Sequence, residues 1–361
     1  MTDQGLLPAG GKVCVQKSGN AELLHPLEAA FYGAAYAKSR VHFSEITSLR
    51  LNNVLVSGDQ GYVFLPDGSW LNVCASLWSQ NPRKVRRPIR WLAGKAGGAL
   101  IHLTGINHEN RAHFAVDHLQ RYFSARQVLA RLPARILVAP GHRRWQAGYL
   151  KLLGVAESCL VEGTPGTLRV EELLLVPLLG GNTQFGDPAS FQAMAAEMQR
   201  YIEQAGWQVP PAETAARPTA LWISRRDAPD RHLDNEEALV LAARKILGDV
   251  EVIRLSDLSL EDQIRRLSRC WCVIGAQGQG MHLPMLARGK LVVILEQAHL
   301  NLDPGWDVVF RDMAELAGNR AVRLFSGVGP RVHDQHWLYP EDKFTTDLRH
   351  LLSVLEAHAA P

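Results

Sequence analysis

The chain has 361 residues, of which 47% are hydrophobic and 21% charged, and its formal net charge is only +3. A balance so close to neutral gives no pull toward nucleic acid, and the length exceeds one ordinary domain of roughly 150 residues, so two are expected. No run reaches the ~18 uninterrupted apolar residues of a membrane span, and the start, MTDQGLLPAGGKVCVQ, lacks a basic segment followed by a long apolar one. The expected location is therefore cytoplasmic.

In chain order, the first part reads as mixed α/β. Strands are expected at 12–16, 48–57, 62–65 and 69–73, with the turns Ser57-Gly58-Asp59 and Pro66-Asp67-Gly68-Ser69 making a small antiparallel meander. The basic stretch Arg83, Lys84, Arg86, Arg87 and Arg90, flanked by Trp78 and Trp91, fits either a solvated face or peripheral contact with the inner face of a membrane. A helix over 110–131, a strand at 135–139, a helix at 143–153 and a short strand at 158–161 follow in a βαβ rhythm. Residues 177–189, rich in Gly, Pro, Asn and Asp, mark a junction that divides the chain into domains 1–187 and 188–361.

The second part reads as a cleaner doubly wound unit. Strands at 219–224, 250–255, 271–275 and 290–295 alternate with helices at 235–247, 260–269 and 280–288, which implies a parallel sheet covered on both faces. Asp234 with Glu237, and Ser259 with Asp262, have the spacing of capping boxes. A last helix over 341–358 carries Phe344, Leu348, Leu351, Leu352 and Leu355 on one stripe. Five scattered cysteines (Cys14, Cys74, Cys159, Cys270, Cys272) lack zinc spacing and read as reduced thiols.

Three patterns could carry chemistry. Ser224-Arg225-Arg226-Asp227 directly follows an apolar strand, at the sheet edge where guanidinium forks can meet phosphate. The bland alternative is an arginine paired with Asp227, Asp230 or Glu236. Gly275-Ala276-Gln277-Gly278-Gln279-Gly280 ends a later strand, where glycines let main-chain amides approach an anion; here the alternative is close packing of helix on strand. Glu296 ends the next strand, where an acid can accept ribose hydroxyls. Asn110, His113 and Asp117 fall at helical spacing on one face, as a general base with oriented neighbours would, or as an ordinary polar side. No Asp-x-Asp pair is present to hold a divalent ion against a diphosphate, so no metal or other cofactor is expected.

Together these residues resemble glycosyltransferase family 61, which includes capsular-polysaccharide enzymes and O-linked sugar transferases, over about 106–296. The family's Asn-x-x-His-x-x-x-Asp element stands as Asn110, His113 and Asp117. Its arginine element stands as Ser224, Arg225, Arg226, Asp227, Ala228, Arg231, Asn235 and Glu236, and its acid-Gln-Ile helix as Asp262, Gln263 and Ile264. The resemblance implies a GT-B-like α/β fold, with two Rossmann-like domains facing across a cleft and a C-terminal helix. It also implies inverting, metal-independent transfer from a nucleotide-sugar donor to a saccharide or lipid-linked acceptor. Asp117, His113 and Asn110 would be catalytic. Ser224, Arg225, Arg226, Asn235, Glu236, Gln277, Gly278, Gln279, Gly280 and Glu296 would hold the donor. The family's glycine turn usually reads Gly-Pro-His-Gly-Ala-Gly with an Asn shortly after; here Gln277 and Leu283 take the places of the His and the Asn. That departure keeps a catalytically lapsed nucleotide-sugar-binding partner as one rival, and the glycine turn with Glu296 keeps an NAD-type oxidoreductase as another.

Overall fold

The computed structural model describes residues 12–43, 45–57, 62–67, 69–71, 94–105, 110–129, 134–141, 143–164, 166–177, 186–207, 219–228, 232–297, 309–327 and 336–358. The basic stretch at 83–90, most of the junction at 177–189, Cys74 and Arg231 lie outside them. Two compact units form, Met1–Ala21 with His42–Glu197 and Glu22–Val41 with Met198–Pro361. Both are α/β. The excursion of Glu22–Val41 into the second unit has no counterpart in a division drawn at 187/188.

The chain enters through β1 (Lys12–Gln16), makes the pair β2 (Gly19–Leu24) and β3 (Lys38–Phe43) with helix α1 (Pro26–Tyr32) between them, and returns as the long β4 (Ile46–Ser57). β5 (Val63–Phe64) and β6 (Trp70–Leu71) complete the antiparallel meander. β7 (Gly94–His102), a helical run, β8 (Arg135–Val138), α4 (Arg143–Lys151) and β9 (Leu160–Glu162) then form the βαβ part. The run consists of α2 (Arg111–His113), a π-helical turn (Phe114–His118) and α3 (Leu119–Leu129). β10 (Thr167–Leu175) inserts between β4 and β7, giving the order β6-β5-β4-β10-β7-β8-β9 with β1 on β4, and α5 (Pro188–Gln204) leads out. β7 to β10 are parallel, while β4 runs against β1, β5 and β10. This sheet is therefore mixed, unlike a fully doubly wound one.

Register between β4 and β10 is fixed by an unusual match. Each strand breaks its two-residue alternation once: Leu49 and Leu51 then Val54 and Val56 face the core on one, Leu168 and Val170 then Leu173 and Leu175 on the other. The breaks coincide, so Leu49 sits opposite Leu175, Leu51 opposite Leu173, Val54 opposite Val170 and Val56 opposite Leu168. A one-residue slide would turn these side chains to the wrong face. β7 absorbs the break with one extra residue, where Gly98 takes φ 76° and donates its N–H to Glu171 at 3.2 Å.

The second unit contains β11 (Thr219–Ile223), α6 (Glu236–Leu247), β12 (Val250–Ile253), α7 (Leu260–Arg269), β13 (Cys270–Ala276), a 3-10 helix (Gln279–Leu286), β14 (Leu291–Glu296), α8 (Val309–Leu316), β15 (Arg320–Phe325) and α9 (Glu341–Ala357). All five strands are parallel, in the order β12-β11-β13-β14-β15. Trp222 of β11 is fully buried and meets Phe344 of α9 edge-on at 6.1 Å. Ser259 caps α7 as its spacing predicts, accepting from the Asp262 N–H at 3.1 Å. Two expectations are corrected. The segment expected as a helix at 280–288 is 3-10, because the Met281 N–H bonds to Gly278 O three residues back and Pro284 has no N–H to give. Asp234 and Glu237 form no capping box: Asn235 is the N-cap residue, and its side chain bonds the main chain of Tyr339 at 2.7 and 3.2 Å instead.

Buried charge ties Glu22–Val41 to this unit. Glu28 has no exposure and accepts from Arg323 Nε (2.8 Å), Nη2 (3.0 Å) and N–H (3.1 Å) and from Arg311 Nη1 (2.7 Å). Burial pushes its carboxyl up, but the bonds and charges of Arg323 and Arg311 outweigh it and hold the group below its usual range. Beside it, His25 Nδ1 lies 2.5 Å from Glu315 Oε2, and its Nε2 lies 2.9 Å from Ser39 Oγ. Burial and then the Arg311 charge bring the imidazole down to about 4, while burial raises the Glu315 carboxyl to about 9. At neutral pH both are uncharged, and Glu315 donates to the imidazole.

Because the Glu315 value is raised, its contribution to stability is whole below about 4.5, the unfolded carboxyl value, and is lost as pH climbs toward about 9. Glu315→Gln stays neutral throughout. Its melting temperature should exceed the parent's by about 2–8 °C at pH 8.5 and match it at pH 5. A difference that does not grow with pH would contradict the buried neutral pair.

Candidate functional site

The winding of the five-stranded sheet reverses between β11 and β13. β12 follows β11 on one side, and the chain then returns to lay β13, β14 and β15 on the other. In open parallel sheets the strand carboxyl ends at such a reversal border a crevice that takes ligands. The Ser224–Arg226 turn follows β11 and the Gly275–Gly280 turn ends β13, so both leave the sheet at that point.

Glu236 organises the first turn. The Ser224 hydroxyl donates to its Oε1 at 2.7 Å, the Arg225 N–H to its Oε2 at 3.3 Å, and the Arg226 N–H to Ser224 Oγ at 3.3 Å. Its carboxylate is buried and used inside the turn, so Glu236 holds the arginines in place. Arg226, with its side chain 54% exposed, folds back on Glu236 at 3.3 Å and Glu237 at 3.5 Å, which matches the bland salt-bridge reading. Arg225 differs. It is buried, and its guanidinium presses on Gly278 so closely that a Cβ there would lie 1.7 Å from Nη1.

The other glycines have packing reasons. A Cβ on Gly275 would meet Met281 Sδ at 2.7 Å and Ile223 O at 3.2 Å, and one on Gly280 would meet Ile223 Cγ2 at 2.9 Å. Gln277 is buried and its N–H donates to Leu295 O at 2.9 Å, whereas Gln279 is exposed and Leu283 is buried in the 3-10 helix. Glu296 is buried at the carboxyl end of β14. Burial opposes the charge of Arg323, but the bonds and charge of Glu28, with the charge of Glu296 behind them, keep that guanidinium firmly protonated. A hollow of about 460 Å³ opens along α6 and β12, lined among others by Ser224, Arg226, Glu237, Arg244 and Arg254.

Asn110, His113 and Asp117 belong to the first unit. His113 Nδ1 lies 2.8 Å from Asp117 Oδ2, both partly buried. Asn110 does not share their stripe: it is the N-cap, its amide oxygen accepting from the N–H groups of Ala112 (3.0 Å) and His113 (3.3 Å). Asp117 falls within the π-helical turn, a distortion often found at functional sites. Four residues on, the fully buried Arg121 donates to Val176 O (2.7 Å), His102 O (3.0 Å) and His118 Nδ1 (2.9 Å). It ties the helical run to the carboxyl ends of β7 and β10, where the winding of the first unit reverses. Sequence reasoning missed Arg121; its signal was one arginine set in the stretch FAVDHLQRYF.

The model of the family Glycosyltransferase 61 matches residues 108–294, just over half of the chain. The chain belongs to glycosyltransferase family 61. The match takes in the helical run with Asp117, the arginine turn and the glycine turn, and makes this family 61 chain a glycosyltransferase. No curated protein matches it. Among solved structures it is similar to the rubredoxin:oxygen oxidoreductase of Desulfovibrio gigas, at 10% identity and TM-score 0.27, over 88% of this chain and 67% of that one. It is also similar to the flavodiiron protein of Giardia intestinalis (10%, TM-score 0.24, 88% and 67%). A third is the Flv1 flavodiiron core of Synechocystis sp. PCC6803 (11%, TM-score 0.26, 97% and 100%). Similarity this low carries no argument about the family 61 chain.

The contact between Arg225 and Gly278 predicts non-additivity. Gly278→Ala should evict the guanidinium and lower unfolding free energy, while adding Gly278→Ala to Arg225→Ala should cost about 1 kcal/mol less than it does alone. Gly275→Ala, which overpacks Met281 and Ile223, should cost about 1–3 kcal/mol with or without Arg225. Denaturant titration of the five variants and parent measures this, and additive values for Gly278 and Arg225 would refute the contact.

Proposed function

We propose that this family 61 chain moves a sugar, with inversion at the anomeric carbon, from a nucleotide-diphosphate donor to a saccharide or lipid-linked saccharide acceptor in surface-polysaccharide synthesis. The observation that carries the reading is the meeting of Arg225 with Gly278 at the strand reversal of the second unit. Guanidinium groups and bared main-chain amides at that edge are what a diphosphate requires. The two units are the proposed domains of a GT-B fold, with the donor on the second.

In the proposed transfer the acceptor oxygen attacks the anomeric carbon opposite the diphosphate. A base takes the hydroxyl proton, and the bond from carbon to diphosphate oxygen breaks with its electron pair going to the phosphate. Asp117 is the proposed base, oriented by the His113 ring nitrogen 2.8 Å away. Asn110 contributes by fixing the first turn beneath them. Arg225, Arg226 and the amides of Gly278 to Gly280 take up the charge of the leaving group, so that no metal is needed. Glu296 is the proposed ribose ligand, and Gln277 and Gln279 offer neutral donors to phosphate where the family usually places a histidine. Ser224 and Glu236 act on the donor by fixing the turn, and Asn235 by tying the start of α6 to Tyr339.

We place the reaction in the cytoplasm, with the 83–90 stretch as the point of any contact with anionic lipid. Among the described residues no helix is long and apolar enough to cross a membrane.

Asp117→Asn keeps the shape of the side chain and removes its basicity. Transfer of radiolabelled sugar should fall by about 10²–10⁴-fold while donor affinity, measured by calorimetry, stays within about twofold. Undiminished transfer would reject the base, and a parent protein that binds donor but transfers nothing would favour the lapsed binding partner.

A further inference from the structure

We propose that Glu237 is a displaceable counter-ion of Arg226 and sets how tightly the arginine turn holds a diphosphate; this rests on the donor site proposed above. The two carboxylates on Arg226 are unequal. Glu236 has its side chain 5% exposed, and both of its oxygens are engaged by the turn, Oε1 by the Ser224 hydroxyl at 2.7 Å and Oε2 by the Arg225 N–H at 3.3 Å. It cannot leave without dismantling the turn. Glu237 has its side chain 80% exposed and reaches Arg226 Nη2 at 3.5 Å, a long contact over the hollow beside α6.

The other arginines of that hollow are engaged close to home. Arg254 closes on Asp257 at 2.7 Å, three residues along, and Arg244 donates to the Val250 carbonyl at 3.2–3.3 Å. Arg226, whose contact with Glu237 is the longest of these, can turn from that carboxylate to an incoming phosphate with little rearrangement. A diphosphate arriving there exchanges one anion for another, and the displaced Glu237 carboxylate stays nearby as a like charge. Both effects oppose binding. Each is modest, because an exposed ion pair is worth little and like charges in water are screened by salt.

Calorimetric titration with inorganic diphosphate tests the proposal on the full chain. Glu237→Gln should tighten binding by about two- to fivefold and Glu237→Lys by more, with the gains shrinking as salt rises. Glu356→Gln, the same charge change on the exposed end of α9, should leave affinity unchanged. Arg226→Ala should weaken binding and erase the gain from Glu237→Gln in the double variant. If Arg226→Ala weakens binding but Glu237→Gln does not tighten it, or if Glu356→Gln tightens it equally, the counter-ion role is overturned and the donor site stands. If neither Arg225→Ala nor Arg226→Ala alters affinity, or the parent and every variant fail to bind, the donor site itself fails and Glu237 with it.

Discussion

A parallel sheet that reverses its winding cannot close over the point of reversal, and the second unit fills that gap with a guanidinium. Arg225 leaves β11 and lies on Gly278, the residue that β13 delivers to the same edge. Everything nearby serves this meeting. Gly275 and Gly280 have no side chains because Ile223 presses on them, and Glu236 spends its buried carboxylate on the serine and the main chain that aim the arginines. The glycine turn is therefore shaped by the protein's own arginine before any ligand arrives.

Buried guanidinium groups recur in the chain, each met by different chemistry. Main-chain carbonyls and an imidazole receive Arg121, and carboxylates receive Arg311 and Arg323. Charge taken out of water is costly unless it is bonded, so such groups persist where they hold segments that apolar packing alone would not specify. Arg121 joins the run bearing Asp117 to two strand ends, and Arg323 joins β15 to α1.

The second unit was the more legible. Its strands are continuous apolar runs, its helices have one apolar stripe, and Ser259 caps where spacing predicts. The 3-10 segment misled because a proline four residues past Gly280 removes one amide while leaving the apolar pattern intact. In the first unit, β7 hid behind the glycines of GKAGGALIH, and β10 behind the interrupted alternation of TLRVEELLL. That interruption has meaning only beside the matching one in β4. At the candidate site, Arg225 meets Gly278 and His113 meets Asp117, but residue types and spacing did not say what each neighbour does. Asn110 has the spacing of a stripe and the bonding of a cap, and Glu236 looks like a ligand until its two oxygens are followed into the turn. Segment 22–41 was illegible because its place depends on an ion pair between positions 295 residues apart.

That separation has a consequence for how the protein is made. On the ribosome the guanidinium groups that receive Glu28 follow it by 283 and 295 residues, so the acid must wait in water until they are made. The second unit cannot be cut from the chain as a contiguous piece. A fragment beginning at Met198 would lack Glu28, the carboxylate that Arg311 and Arg323 share, and would leave the two like charges without it.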